Sequence, residues 1–213
     1  MKGIFTDYTN LTERDLENLF GISPEISTAL QDAVPFRSFS IYTEVTGRMI
    51  VKMLEACGGY LDQVLSIFKH FGLSEIEPED WIPEQTYLDA LHQVASRTSP
   101  VLLNRMGAAL ADLALCLPGA KIDESILLLN QYYHRWHRRG EPGDFRLLRS
   151  NPEIPSIVVQ CRHAYPCEVD MGLFKRLVQR ITQKQQVMVF HDYRQSQNCR
   201  KNGAGACSLV ISW

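Results

Sequence analysis

The sequence predicts an α+β fold in which a helical layer packs on a C-terminal, mainly antiparallel sheet built as hairpin, helix, hairpin. Three observations carry this expectation. Apolar residues recur at helical spacing from Phe39 to Leu115. After Gly140-Glu141-Pro142-Gly143 the pattern changes to short strand-like runs. Between two pairs of such runs lies one amphipathic segment, with Leu173, Phe174, Leu177, Val178 and Ile181 on a single face.

Taken in order, residues 1–39 hold two short helical candidates, 13–20 and 24–32, the second opened by Ser23-Pro24 as cap and first turn. The pair has the outline of a helix-turn-helix. Arg14 is the only basic side chain between residues 10 and 35, too few for a groove-reading helix that needs several phosphate contacts. A docking arm or dimer element is the reading adopted. Residues 40–213 then form one domain, with a helical part at 40–140 and a cysteine-bearing sheet module at 144–213.

In the helical part, Met49, Ile50, Met53 and Leu54 mark one face, Leu61, Val64, Leu65, Phe68 and Phe71 a second, and Tyr87, Leu88, Leu91 and Val94 a third. Gly58-Gly59 separates the first two helices and Gly72 ends the second. Pro78 and Pro83 frame the turn that carries Trp81, a fourth helix follows Pro100 through Met106 and Leu110, and a fifth covers 124–138. In the sheet module, strands are expected at 144–149, 157–161, 187–193 and 207–213. Asp170 is expected to cap the intervening helix, and Asn202-Gly203 to form a two-residue hairpin turn.

With 213 residues, 45% hydrophobic and 22% charged, the chain can bury a core without disulfides or metal. A formal net charge of −2 supplies no field for gathering nucleic acid, so no nucleic-acid partner is expected. No stretch approaches the ~20 apolar residues of a membrane span, and the first residues lack the apolar run of a signal peptide, so a cytoplasmic location is expected. In a reducing compartment the six cysteines read as buried hydrophobes, metal ligands or redox thiols rather than bridges. Cys57 and Cys116 stand alone, whereas Cys161, Cys167, Cys199 and Cys207 share the last quarter.

If Asn202-Gly203 is the hairpin loop, Cys199 and Cys207 come side by side at its base. Thiolates so placed hold zinc given two more ligands, for which Cys167, His191, Asp192 and Cys161 are candidates. The alternative is that Cys207 continues the inward alternation of Leu209, Ile211 and Trp213 while Cys199 is an ordinary thiol. Cys167 precedes a helix start, where unpaired N–H groups favour thiolate, which suits a ligand or a nucleophile. In Tyr132-Tyr133-His134-Arg135-Trp136-His137-Arg138-Arg139, His134 and His137 are three apart and face one way on a helix. That placement suits a metal or haem edge; alternatively the cations complement the helix C-terminus while the aromatics pack. GxxxxGK[ST], GxGxxG and HExxH strings do not occur.

Tyr165-Pro166-Cys167-Glu168-Val169-Asp170-Met171-Gly172-Leu173, the strand-like 187–190, the Cys199 to Cys207 segment and a closing apolar run ending in Trp213 together resemble the 4-vinyl reductase family of ligand-binding domains. That family is similar to the effector domains of bacterial aromatic-sensing activators and, distantly, to haem nitric-oxide/oxygen-binding proteins. The resemblance implies a pocket for a small hydrophobic or aromatic molecule between helices and sheet. In the aromatic sensors it implies a structural zinc held by three cysteines and an acidic residue, with haem a lesser alternative cofactor. Cys199 and Cys207 match the C-x7-C pair and Cys167 the upstream cysteine. Residues 194–198 contain no carboxylate, so Cys161, His191 or Asp192 has to serve as fourth ligand.

Helix periodicity nominates Phe68, Trp81, Tyr87, Met106, Tyr133 and Trp136 as pocket walls, with His134 or His137 as the polar group. The expected function is a stand-alone sensing or binding domain acting through a homodimer or a signalling partner. The competing readings are an enzyme acting on a vinyl-bearing tetrapyrrole or through Cys167, and a metal-free interaction module.

Overall fold

Each helix of the N-terminal half is an amphipathic segment whose apolar residues fall three and four apart, so that one stripe turns inward. The computed structural model of the chain describes residues 32–114, 119–151, 153–192 and 199–213, all within one compact unit, Asp32–Trp213. The candidate helices at 13–20 and 24–32 lie outside the described residues, Asp32 excepted, as does Cys116. Helix α1 (Gly47–Glu55) buries Met49, Ile50 and Met53, and α2 (Leu61–His70) buries Val64, Ile67 and Phe68. The second ends at Gly72 in the left-handed region (φ 77°), with Gly72 N–H donating to Lys69 O and Leu73 N–H to Phe68 O. Helix α3 (Glu84–Arg97) buries Tyr87, Leu88, Leu91 and Val94. Helix α4 (Pro100–Leu110) starts on its proline, and α5 (Ile122–Arg135) buries Ile126, Leu129 and Tyr133.

A small antiparallel sheet that the sequence pattern does not reveal ties these helices together. Strand β1 (Glu44–Thr46) lies between β2 (Trp81–Pro83) and β3 (His137–Arg138), with buried Val45 opposite Ile82 and His137. Runs of two and three residues give no period-2 signal, and Pro83 argues against a strand.

The C-terminal module is the expected hairpin, helix, hairpin. Strand β4 (Gly143–Asn151) pairs with β5 (Ser156–His163); helix α6 (Cys167–Thr182) follows, then β6 (Met188–His191) and β7 (Cys207–Ser212), in the all-antiparallel order β4-β5-β7-β6. Ile157, Val159, Cys161 and His163 of β5, with Cys207, Leu209 and Ile211 of β7, alternate inward against α6. The fold is thus α+β, and no helix among the described residues is long and apolar enough to cross a membrane.

Helices α4 and α6 cross at two glycines. A Cβ on Gly107 would overlap the Val169 carbonyl, and one on Gly172 would overlap the Asn104 carbonyl. Backbone lies on the far side of both contacts, so no side chain can rotate away. We therefore expect Gly107→Ala to cost about 1–3 kcal/mol in urea unfolding, the usual overpacking range. Gly59→Ala, whose Cβ meets nothing within 4 Å, should stay within about 0.5 kcal/mol of wild type.

Candidate metal centre

The thiols meet where the first turn of α6, the end of β6 and the start of β7 converge. Pro166, extended at ψ 149°, sets Cys167 as the first residue of α6, three residues before the cap position that the sequence suggests. Asp170 is therefore no cap. It is a buried residue of the first turn, pointing into the sheet. The loop before β7 also departs from expectation. Arg200–Asn202 forms one 3-10 turn closed by Gly203 (φ 84°), and Cys199 O accepts from both Asn202 N–H and Ala204 N–H. The two-residue hairpin is replaced because Arg200 turns inward, its backbone N–H donating to Cys207 Sγ at 3.2 Å.

This turn brings three sulfurs together. Cys167 Sγ lies 3.0 Å from Cys207 Sγ and 3.6 Å from Cys199 Sγ, and Cys199 to Cys207 is 3.7 Å. All three are free and buried. One ring nitrogen of His191 joins them, the four donor atoms lying within 4.8 Å of one another. Cys161 stands behind the cluster, opposite Cys207 in the β5–β7 ladder. Its thiol groups instead with His163 and Asp170. Asp192 continues the β6 edge, its N–H donating to Ser208 O, and belongs to neither donor group.

Arg200 organises what lies behind the sulfurs. Its Nε–H also donates to Cys207 Sγ (3.3 Å), its Nη2 to Asp170 (2.7 Å), and its Nη1 to His163 O. Asp170 Oδ1 lies 3.0 Å from His163 Nε2. Burial opposes the guanidinium charge, but Asp170 and the surrounding thiols hold its pKa above the usual value. In the coupled pair Cys167–Cys207, the hydrogen bond from Cys167 holds Cys207 well below the thiol range, aided by His191 and Arg200; donating that hydrogen bond, together with burial, pushes Cys167 up.

The nominated wall residues fall in three environments. Phe68, Tyr87 and Met106 are 0% exposed, so no water-sized void touches them. Tyr133 and Trp136 are buried. The rings pack in sequence across the helix–sheet interface: Phe68–Tyr87 at 6.0 Å, Tyr87–Tyr165 at 6.1 Å, Tyr165–Tyr133 at 6.2 Å, Tyr133–Phe145 at 5.1 Å and Phe145–Phe174 at 5.4 Å. Trp81 is half-buried under the Arg138 guanidinium, 4.3 Å from its ring centre. The two histidines do not share a face: α5 ends at Arg135, leaving His134 exposed, while His137 continues into β3 and is buried. Sequence reasoning passed over Glu84, which is buried beside His137 and Tyr165. An acidic residue at a helix start ordinarily reads as a dipole partner, and only tertiary packing distinguishes this one.

No family model and no curated protein matches this chain. Among solved structures, it is similar to an H-NOX protein from S. oneidensis in the Fe(II) ligation state, a triple-substitution variant (15% identity, 79% of this chain and 95% of that one, TM-score 0.54). It is also similar to an H-NOX structure that probes the function of heme distortion in that family (12%, 79% and 94%, 0.53) and to a Phe-to-Leu variant of Tt H-NOX (12%, 78% and 92%, 0.53). At such identities the likeness shows the fold alone: this chain shares the arrangement of helical layer and sheet module seen in these structures.

Proposed function

We propose that the chain is a small-molecule sensing domain of H-NOX-like fold whose sheet module is locked by a structural zinc held by Cys167, His191, Cys199 and Cys207. The observation that carries the zinc is the packing of three unbridged sulfurs and an imidazole nitrogen into one cluster. Two thiolates each about 2.3 Å from a shared tetrahedral zinc lie about 3.8 Å apart. The Cys167–Cys199 and Cys199–Cys207 separations of 3.6 and 3.7 Å match that edge, and the Cys167–Cys207 pair at 3.0 Å has to widen to take the ion. Three thiolates and one histidine leave no open position, the signature of a structural site. The Arg200–Asp170 pair behind it supplies the outer-shell support such sites use.

Heme, which the H-NOX neighbours bind, stays among the ligands to test, although the two histidines buried at this chain's helix–sheet interface are already engaged by protein groups. His137 has both ring nitrogens engaged, by Tyr133 O and Tyr165 Oη at 2.8 Å each, and His163 is held by Asp170 and Arg200. The ring column occupies the space between helices and sheet. Sensing is therefore read as binding of an apolar or aromatic molecule that enters this interface by displacing flexible side chains, Met49, Met53 and Met106 being suited to it. The 4-vinyl reductase resemblance supports the same reading, with a vinyl-bearing tetrapyrrole among the ligands to try and output through a partner protein or second copy.

Metal analysis and a thermal-shift screen test the two halves separately. About one zinc per chain is expected under reducing conditions, and at least one aromatic or tetrapyrrole compound should raise the melting temperature by mass action on the folded state. A metal-free chain that is stable would remove the zinc. A flat screen would leave a zinc-stapled interaction module.

A further inference from the structure

Three side chains from separate elements meet beneath the small sheet. His137 Nε2 lies 2.8 Å from Tyr165 Oη and 3.4 Å from Glu84 Oε1, and all three residues are buried. Burial, which holds the His137 ring neutral, and the fixed acceptor Tyr133 O together narrow their state. His137 Nδ1 sits 2.8 Å from Tyr133 O, which can only accept, so Nδ1 carries a hydrogen and Nε2 of the neutral ring accepts the Tyr165 hydroxyl. Glu84 Oε1 is then left without a donor. A carboxylate there would face the imidazole lone pair, a conflict that one added proton on the carboxyl removes, while Oε2 stays within 2.5 Å of Ser38 Oγ.

The partner of Oε2 belongs to a strap. Residues 32–43 run from the cysteine loop to the start of α3. Ala33 N–H donates to Gly205 O (2.9 Å), Phe36 N–H to Ala164 O (2.6 Å) and Ser38 N–H to Gln85 Oε1 (3.0 Å), while Phe36 stacks on His92 at 4.6 Å. Ser38 Oγ reaches Glu84 Oε2 at 2.5 Å. The strap thus touches the metal-bearing loop at one end and the buried carboxyl at the other.

We propose that Glu84 is a proton-operated latch: protonated, it holds the strap closed over the helix–sheet interface, and ionised, it releases it. Among the described residues no lysine or arginine pairs with the carboxyl, and burial keeps its imidazole neighbour, His137 at 3.4 Å, uncharged. Tyr133 looks on from α5, Tyr165 from the loop before α6, and Gln85 and Asp89 from α3. On β3, Arg138 and Arg139 turn away to Glu44; in the core, Arg200 is committed to Asp170, and Arg162 to Glu141 and Asp144. Burial raises Glu84 to about 7, against a usual 4.5, and lowers His137 to about 3. The sign follows. With Glu84 near 4.5 when the strap is open, closure is fully favoured below that pH, weakens from 4.5 to about 7, and has lost roughly two powers of ten in the closed-to-open ratio above it.

Amide hydrogen exchange reads the strap itself, independently of any ligand. Protection factors of Ala33, Phe36 and Ser38 should fall at least about ten-fold from pH 5 to pH 8 in the wild type, and stay level in Glu84→Gln, whose neutral amide cannot ionise. An equal fall in both proteins, or none in the wild type, overturns the latch. Should the variant not fold, infrared spectroscopy of the wild type decides: a protonated-carboxyl band present at pH 5.5 and gone at pH 8.5 supports it, and no such band overturns it. The outcome does not depend on the sensing reading, which the compound screen tests alone.

Discussion

Cys207→Ser is expected to purify without zinc and to unfold several kcal/mol more easily than the wild type. Cys207 is the hub of the cluster: its sulfur lies within 3.0 Å of Cys167 and 3.7 Å of Cys199, and it accepts from two Arg200 nitrogens. Serine keeps the size but replaces a thiolate by a neutral hydroxyl that is a poor zinc ligand, and it leaves Arg200 with less negative charge to face. Structural zinc contributes about 10–16 kcal/mol in small fingers. A chain with its own core, extending from Val45 to Ile211, depends on it for a smaller share, so about 3–6 kcal/mol is expected, scaled down from that range. The control is Cys161→Ser. That thiol pairs across the ladder from Cys207 but lies outside the donor set, so the variant should retain its zinc, whatever the hydroxyl costs the core. Denaturant titration with metal quantitation on the same samples checks both. Metal retained in Cys207→Ser would refute the proposed ligand set.

How much of this arrangement can be read from the sequence depends on whether an element carries its own periodicity. The helices from Met49 to Tyr133 and strands β4, β5 and β7 do, because each turns one apolar face inward, whereas β6 leaves Met188 and Phe190 outward. The 44–46, 81–83 and 137–138 strands are too short to show a period, and they matter because they decide where His137 goes. A helical reading continued through Trp136 puts His134 and His137 on one face. In the fold, Trp136 is the cap and the chain turns there into β3, so the two histidines part company.

At the candidate metal centre the sequence names the three cysteines, since their positions at a helix start and around a loop are local facts. The fourth donor is not a local fact. His191, Asp192 and Cys161 are all close in sequence or ladder position, and only the inward alternation of β6, with Val189 and His191 facing in and Met188 and Phe190 out, sets His191 into the cluster. Asn202-Gly203 does turn the chain, but the buried guanidinium two residues earlier converts the hairpin into a 3-10 turn. Glu84 shows the limit most clearly: nothing near it in sequence tells a buried proton-holding carboxyl from a solvated helix-start acid.

Arg200→Met should cost about 3–5 kcal/mol, the usual penalty for breaking a buried ion pair from one side. The guanidinium is fully buried and bonds Asp170 at 2.7 Å, Cys207 at 3.3 Å and the His163 main chain. Methionine fills much of the volume, so the loss is electrostatic: Asp170 keeps the His163 ring and the Cys161 thiol but loses its cation, and the Cys207 sulfur loses a side-chain donor. Asp170→Asn in the same background removes the stranded charge. The double variant is therefore expected to be more stable than Arg200→Met alone, with a coupling energy of about 1–3 kcal/mol. A merely space-filling arginine would show additive losses and no such recovery. Zinc affinity gives the second readout, because outer-shell partners typically alter metal binding about 10–100-fold. Arg200→Met should release zinc to a chelator more readily, whereas Arg180→Met, on the outer side of α6 and bonded to Ala111 O, should leave zinc release unchanged. Equal release from both variants would mean that the Arg200–Asp170 pair stabilises the module without supporting the metal.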